Sequence, residues 1–252
     1  MKAFEARHYL LTAEMQWDKV ADRAAYPFSL PVLQGFQELE FHPRVTFLVG
    51  ENGAGKSTLV EALAVAWGFN PEGGTKNFNF STAQAHSNLH KYLKLVKSPR
   101  RARDGFFLRA ESYFNVASAI DQMDAAPSFD PPVKTYYGGK SLHEQSHGES
   151  FFALFESRFG ENCLYILDEP EAALSPSRQM SLLARMHDLI AKDSQFIIAT
   201  HSPILMAYPD AWIYQISTRG IERIAYEDTE HFQVTRHFLN HREVMLEQLF
   251  KK

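Results

Sequence analysis

The chain has 252 residues, 45% of them hydrophobic, and a net charge of −4. That is enough apolar material for a full core, and the charge argues against a surface that coats nucleic acid generally while leaving room for a local basic patch. The single cysteine, Cys163, excludes an internal disulfide or a cysteine-based metal site; with no apolar signal core at the start and no apolar run of membrane-spanning length, a cytoplasmic protein is expected.

Residues 1–44 mix short strand-like pieces with Pro27, Pro31 and Pro43, and read as an antiparallel edge leading into a buried strand. That strand is Val45-Thr-Phe-Leu-Val, and it runs straight into Gly50-Glu51-Asn52-Gly53-Ala54-Gly55-Lys56-Ser57-Thr58 and then a helical pattern. The strand, glycine loop and helix supply the context that G-x-x-x-x-G-K-[ST] requires. Gly53 and Gly55 reach backbone angles closed to other residues, so successive N–H groups turn inward as an anion nest at a helix N-terminus. Lys56 adds a point charge for terminal phosphates and Ser57 a hydroxyl for Mg²⁺. Upstream, Tyr26 and Phe28 are candidates for stacking on an adenine ring, with core packing as the competing reading.

Gly68 and Pro71 stop the first helix, and residues 70–140 read as a lid-like insertion within one domain spanning 1–252. A helix is expected near 82–96, then a charged loop, a strand over 106–109, and an Asp/Pro/Gly-rich loop up to Gly139. Lys91, Lys94, Lys97, Arg100, Arg101 and Arg103 concentrate positive charge here. They read either as a contact for nucleic acid or an acidic partner, or as a solvated helix face.

A helix over 149–159 should end in a left-handed cap at Gly160. Residues 163–167 are continuously apolar, as in a parallel strand buried on both faces. Ser175 should cap a helix that starts with Pro176 and runs to about Ala191. A second buried strand follows at 196–199, a strand near 221–226, and helices around 234–239 and 242–250. Strands alternating with helices predict an α/β fold around a mostly parallel sheet, with an antiparallel edge and a helical insertion.

Asp168 and Glu169 end the first of those apolar strands, which puts both carboxylates where ligands bind at a parallel sheet. One can hold Mg²⁺ and the other can direct an attacking water. His201 closes the next strand in the same way. Between Gly138 and Ser150, His143-Glu144-Gln-Ser-His147 matches H-E-x-x-H, the zinc-peptidase pattern, but glycines on both sides argue for a loop and no third ligand is evident. Read instead as Ser146-x-Gly148-Glu149 at a helix N-terminus, the same stretch is a second phosphate-binding end.

Taken together, these motifs resemble ABC-type P-loop ATPases, closer to the SMC/RecF/OLD-like branch and its small bacterial members than to transporter subunits. The match covers about residues 26–205 and consists of a Walker A loop at Gly50–Thr58, a signature at Ser146-His-Gly148-Glu149, Walker B ending in Asp168 with Glu169, and a switch histidine, His201. The resemblance implies ATP and Mg²⁺ as ligands, with Ser57 and Asp168 on the metal and Glu169 and His201 in catalysis. It also implies a head-to-tail homodimer in which Ser146, Gly148 and Glu149 reach the ATP held by the other copy. By position Glu111 would fill the Q-loop, with Gln84 the alternative. The chain departs from the family at Ser175, where an aspartate is usual. The role expected is a switch acting on a nucleic acid or protein partner, in a DNA-related or defence-related setting. A transporter ATPase subunit and a zinc metallopeptidase using His143, Glu144 and His147 are the alternatives.

Overall fold

The computed structural model describes residues 8–75, 87–109, 117–118, 120–121, 124–125, 132, 134–135 and 147–251. Strands β3 (Val45–Gly50), β5 (Asp104–Arg109), β6 (Cys163–Asp168), β7 (Gln195–Ala199), β8 (Trp212–Ser217) and β9 (Gly220–Ile224) form one sheet in the order β5-β6-β7-β3-β8-β9. The first five are parallel, and β9 returns antiparallel on β8 at one edge. Strands β1 (Leu10–Met15), β2 (Glu38–Glu40) and β4 (Leu93–Lys97) form a separate antiparallel sheet, with β1 in the middle.

Parallel strands with both faces covered should be apolar throughout, and β6 is buried at every position. Its side chains alternate between two cores. Cys163, Tyr165 and Leu167 pack with Phe151, Phe155, Leu182 and Met186. Leu164 and Ile166 pack with Leu59 and Leu63 and with the antiparallel sheet. The helices behind these contacts are α1 (Lys56–Trp67), α2 (His147–Ser157) and α3 (Pro176–Ala191). α1 ends at Gly68, whose φ of 112° lets its N–H reach back to the Ala64 and Val65 carbonyls. α3 starts on the Ser175 hydroxyl, which accepts from Arg178 N. After β7 come the short α4 (Pro203–Met206) and then, beyond β9, α5 (Glu230–Asn240) and α6 (Arg242–Phe250).

The two sheets are bolted together by Gln195. Its buried side chain accepts from the N–H groups of Tyr9 and Leu10, and donates to the carbonyls of Leu10 at 2.9 Å and His42 at 3.1 Å.

Three sequence expectations change. Within 82–96 the described residues are not α-helical: residues 88–92 make a 3₁₀ turn, and Leu93–Lys97 is strand β4. Its Leu-Lys-Leu-Val-Lys pattern pairs along β1, an interaction that no local period reveals. The amino-terminal strands do not edge the main sheet, because β1 pairs with β2 and β4 instead. Gly160 does not take the left-handed conformation; Asn162 does, with φ 58°.

Candidate nucleotide site

Every group singled out at a strand end on the sequence meets at the carboxyl edge of β3, β6 and β7. The loop after β3 carries positive φ at Gly50 (149°), Gly53 (79°) and Gly55 (94°). Two of these glycines also allow close approach. A Cβ at Gly50 would stand 2.4 Å from the Ile216 carbonyl oxygen, and one at Gly55 would stand 2.7 Å from Val32 Cγ1. Val32 N in turn donates to Ala54 O at 2.9 Å. Glu51, Asn52 and Gly53 are exposed, Ala54 is buried, and Lys56, Ser57 and Thr58 make the first turn of α1.

Lys56 is buried, and its ammonium donates to the Gly50 and Glu51 carbonyls, both at 2.9 Å. Burial pulls its pKa below the ordinary lysine value, and the carboxylates of Glu169, Asp168 and Glu171 pull it back up. Ser57 Oγ donates to Asp168 Oδ1 at 3.1 Å, which joins the start of α1 to the end of β6. A hydroxyl and a carboxylate side by side are hard oxygen donors, the chemistry Mg²⁺ takes, with phosphate oxygens and waters left to complete an octahedron. The residues therefore fit the metal.

Glu169 sits in the left-handed region at φ 50°, and its N–H donates to Ala199 O at 2.9 Å. Its Oε1 lies 3.5 Å from His201 Nε2. The backbone N–H of His201 donates to Glu171 Oε1 at 2.5 Å. Burial raises the Glu171 carboxyl and lowers His201, the Lys56 ammonium adding to the second effect.

Sequence reading assigned no site role to three neighbours. Arg109, closing β5, donates from Nη1 to the buried Glu61 at 2.6 Å and brings Nε within 3.7 Å of Asp168 Oδ2. His231, at the start of α5, brings Nε2 within 2.8 Å of His201 Nδ1. Glu171 holds the His201 backbone. Only Glu171 carried a signal, standing two residues after the acidic pair.

Tyr26 is solvent-facing, 66% exposed, whereas Phe28 is core, packed edge-on against Tyr92. Gly148 and Glu149 fall in the first turn of α2, and His147 is its first residue. Ser146, His143, Glu144, Glu111 and Gln84 lie outside the described residues. Among the described residues no group of three or more His, Cys, Asp or Glu could hold a metal ion. The basic stretch is partly used up in the fold. Lys94 pairs with Glu14, Lys97 lies over the Trp67 ring, and Arg100 pairs with Asp193. Lys91, Arg101 and Arg103 are exposed. A cavity of about 1000 Å³ lined by His42, Arg44, Tyr208 and Trp212 opens at the opposite, amino-terminal edge of the strands, away from all of this chemistry. No helix among the described residues is long and apolar enough to cross a membrane.

Two protein-family models match. One, described as "AAA domain", covers residues 28–112; the other, "AAA domain, putative AbiEii toxin, Type IV TA system", covers 141–207. The first contains the glycine loop, and the second contains Asp168, Glu169 and His201. Among solved structures, a nucleotide-free ATP-binding cassette from an ABC transporter is 15% identical, covers 94% of this chain and 97% of its own, and has a TM-score of 0.50. cbiO1 from Clostridium perfringens, part of the ABC transporter complex cbiONQ, is 16% identical over 94% and 97%, at 0.48. The SMC head domain from Thermotoga maritima is 18% identical over 74% and 92%, at 0.36. The two halves of the site thus each lie inside an AAA-domain match, on a sheet that shares the fold of an ATP-binding cassette.

Proposed function

We propose that the chain binds and hydrolyses Mg²⁺·ATP as half of a composite site, that ATP closes two copies head to tail, and that this closure is a switch read by a partner. The observation carrying the reading is the pairing at one sheet edge of Ser57 with Asp168 and of Glu169 with His201. The first pair would hold the metal, which when bound neutralises charge on the phosphate oxygens. In this reading Lys56 leaves its two carbonyls for the terminal phosphates. Glu169 accepts the proton of the attacking water, and His201 contacts the transferring phosphoryl group. Ser146, Gly148 and Glu149, at and before the start of α2, complete the site in the other copy through a helix N-terminus.

Such groups supplied by a partner contribute ~10³–10⁵ in rate in other phosphoryl-transfer enzymes, so a monomer should turn over slowly. Glu169→Gln should bind ATP, hydrolyse it poorly and run as a dimer by light scattering when ATP and Mg²⁺ are present. Lys56→Ala, deprived of nucleotide, should remain a monomer. A Glu169→Gln protein that is saturated with ATP and still monomeric would overturn the dimer.

We place the switch in the SMC/RecF/OLD-like branch and in the cytoplasm, and read its setting as DNA-related or defence-related. The toxin–antitoxin wording of the second family match supports the defence setting. The exposed Lys91, Arg101 and Arg103 are the remaining support for nucleic acid. Neutralising all three should reduce DNA binding and flatten its salt dependence. If DNA binding is absent in the parent chain, a protein partner is favoured. Copurification with a membrane permease would instead favour the transporter reading, which the cassette fold alone leaves open.

A further inference from the structure

The contact between His201 Nδ1 and His231 Nε2 is 2.8 Å long, and it joins the end of β7 to a helix thirty positions further on. It is firmly built. Tyr226 donates its hydroxyl to Pro203 O at 2.9 Å, and the fully buried Thr229 caps α5 by accepting from Phe232 N. The turn before α5 is thus tied to the segment that carries His201 through Tyr226, and the helix that follows it through His231.

A hydrogen bond between two neutral imidazoles takes one protonated nitrogen and one bare one. Burial holds both rings below the ordinary histidine value, with Lys56 acting in the same direction on each, against Glu169 at His201 and Glu230 at His231. Two arrangements of protons then remain. If His201 donates from Nδ1, its Nε2 turns a lone pair toward Glu169 Oε1 at 3.5 Å, and His231 buries an Nδ1–H that meets no acceptor among the described residues. If His231 donates from Nε2, His201 carries its own proton on Nε2 and turns an N–H toward that carboxylate at 3.5 Å, a charge contact longer than a normal hydrogen bond, and His231 Nδ1 is left bare. Electrostatics selects the second arrangement, since an N–H on Nε2 is attracted by the Glu169 carboxylate where a lone pair would be repelled.

We propose that His231 is a positioning residue that fixes the tautomer and ring orientation of His201, so that His201 offers an N–H from Nε2 on the side of Glu169. On the ATPase reading above, on which the catalytic part rests, that N–H is the donor to the transferring phosphoryl group. No proton changes hands in this role. The second ring sets which nitrogen of the first is a donor, as an outer hydrogen-bond partner does for a metal-bound histidine.

The test has two independent arms. In the first, two-bond ¹H–¹⁵N spectra of histidine-labelled protein, with His201 assigned through His201→Asn, should show His201 protonated on Nε2. Protonation on Nδ1 would overturn the proposal, and this arm requires neither a His231 variant nor ATPase activity. In the second arm, His231→Gln keeps an amide N–H that can reach His201 Nδ1 and should hold kcat close to the parent value. His231→Leu removes the donor and should lower kcat about 10–100-fold, the usual loss for an outer hydrogen-bond partner. KM for ATP should move little, because the glycine loop is untouched. A His231→Leu enzyme with parental kcat, or a His231→Gln enzyme as slow as His231→Leu, would sink the positioning role. If the parent chain proves inactive on ATP, the ATPase reading fails and the spectra still decide the tautomer.

Discussion

Ser57 and Asp168, 111 positions apart, meet through a 3.1 Å hydrogen bond that joins the first turn of α1 to the end of β6. The same two oxygens are the only protein donors assigned to Mg²⁺ in the proposed site. Ser57→Ala should therefore weaken the metal more than the nucleotide, with half-maximal activity shifted to about tenfold higher Mg²⁺, the equivalent of roughly 1.4 kcal/mol. Asp168→Asn should lose hydrolysis outright while still folding, since Arg109 and Ser57 both retain a polar partner. A Mg²⁺ titration of steady-state activity, beside a circular-dichroism melt, checks both.

Lys56 spends its charge on two backbone carbonyls that shape the glycine loop. Lys56→Met removes the charge-assisted bonds to phosphate, worth roughly 1.5–3 kcal/mol, so nucleotide affinity should fall about 10–150-fold. Titration with a fluorescent ATP analogue measures it. Unchanged affinity would mean that phosphate does not sit in this loop.

His42 makes the fold sensitive to acid. Its Nδ1 accepts from the N–H groups of Arg44 and Val45, closing the turn that feeds β3. A protonated Nδ1 cannot accept, and burial together with Arg44 lowers this pKa below 6.5. A depressed histidine leaves folded and unfolded chains equally uncharged above about pH 6.5; below it the unfolded chain gains the proton first. Stability should thus fall as pH drops from about 6.5 through the lower folded value. His8, depressed by burial and by His42, acts in the same direction. His42→Asn, whose side chain can accept from the same turn, should flatten part of the fall in Tm between pH 7.5 and pH 5.5.

Arg109 and Glu61 form an ion pair in which the carboxylate is almost wholly buried. Arg109→Met would take the guanidinium away from that carboxylate, and breaking a buried pair typically costs about 3–5 kcal/mol. The double variant Arg109→Met, Glu61→Met removes the carboxylate as well and should recover at least half of the loss in urea unfolding. If the two single changes simply add, the pair is not coupled.

Elements with a local signature were legible in the chain. The apolar run at β6, the Ser175-Pro176 start of α3 and the glycine loop into α1 each follow from short-range chemistry, and the structure places them within a residue or two of expectation. β4 was not, because lysines at 91, 94 and 97 repeat with a helical spacing while the strand is defined by β1, some eighty residues away. β8 was overlooked because Trp-Ile-Tyr-Gln-Ile-Ser buries only Ile213 and Ile216 fully and shows no clean apolar run. His231 had no signal at all. It lies on a helix with no motif around it, and its meaning comes from a partner thirty residues earlier.

The glycine loop is held from outside by two close approaches, and a third braces the segment behind it. Gly50 rests on the β8 backbone at Ile216, Gly55 rests on Val32 and Leu30, and the turn at Gly220 rests on the Gln34 carbonyl, where a Cβ would stand 2.8 Å away. Residues 30–34 therefore touch the loop on one side and the β8–β9 turn on the other. The shape of the nest is settled when the chain folds, and ATP meets amides that have already given up their freedom, about 1–2 kcal/mol for each backbone residue fixed. A change as distant as Gly220→Ala should then reach the phosphates as a loss of preorganisation: weaker binding, a larger entropic penalty in calorimetry, and every contacting side chain still in place.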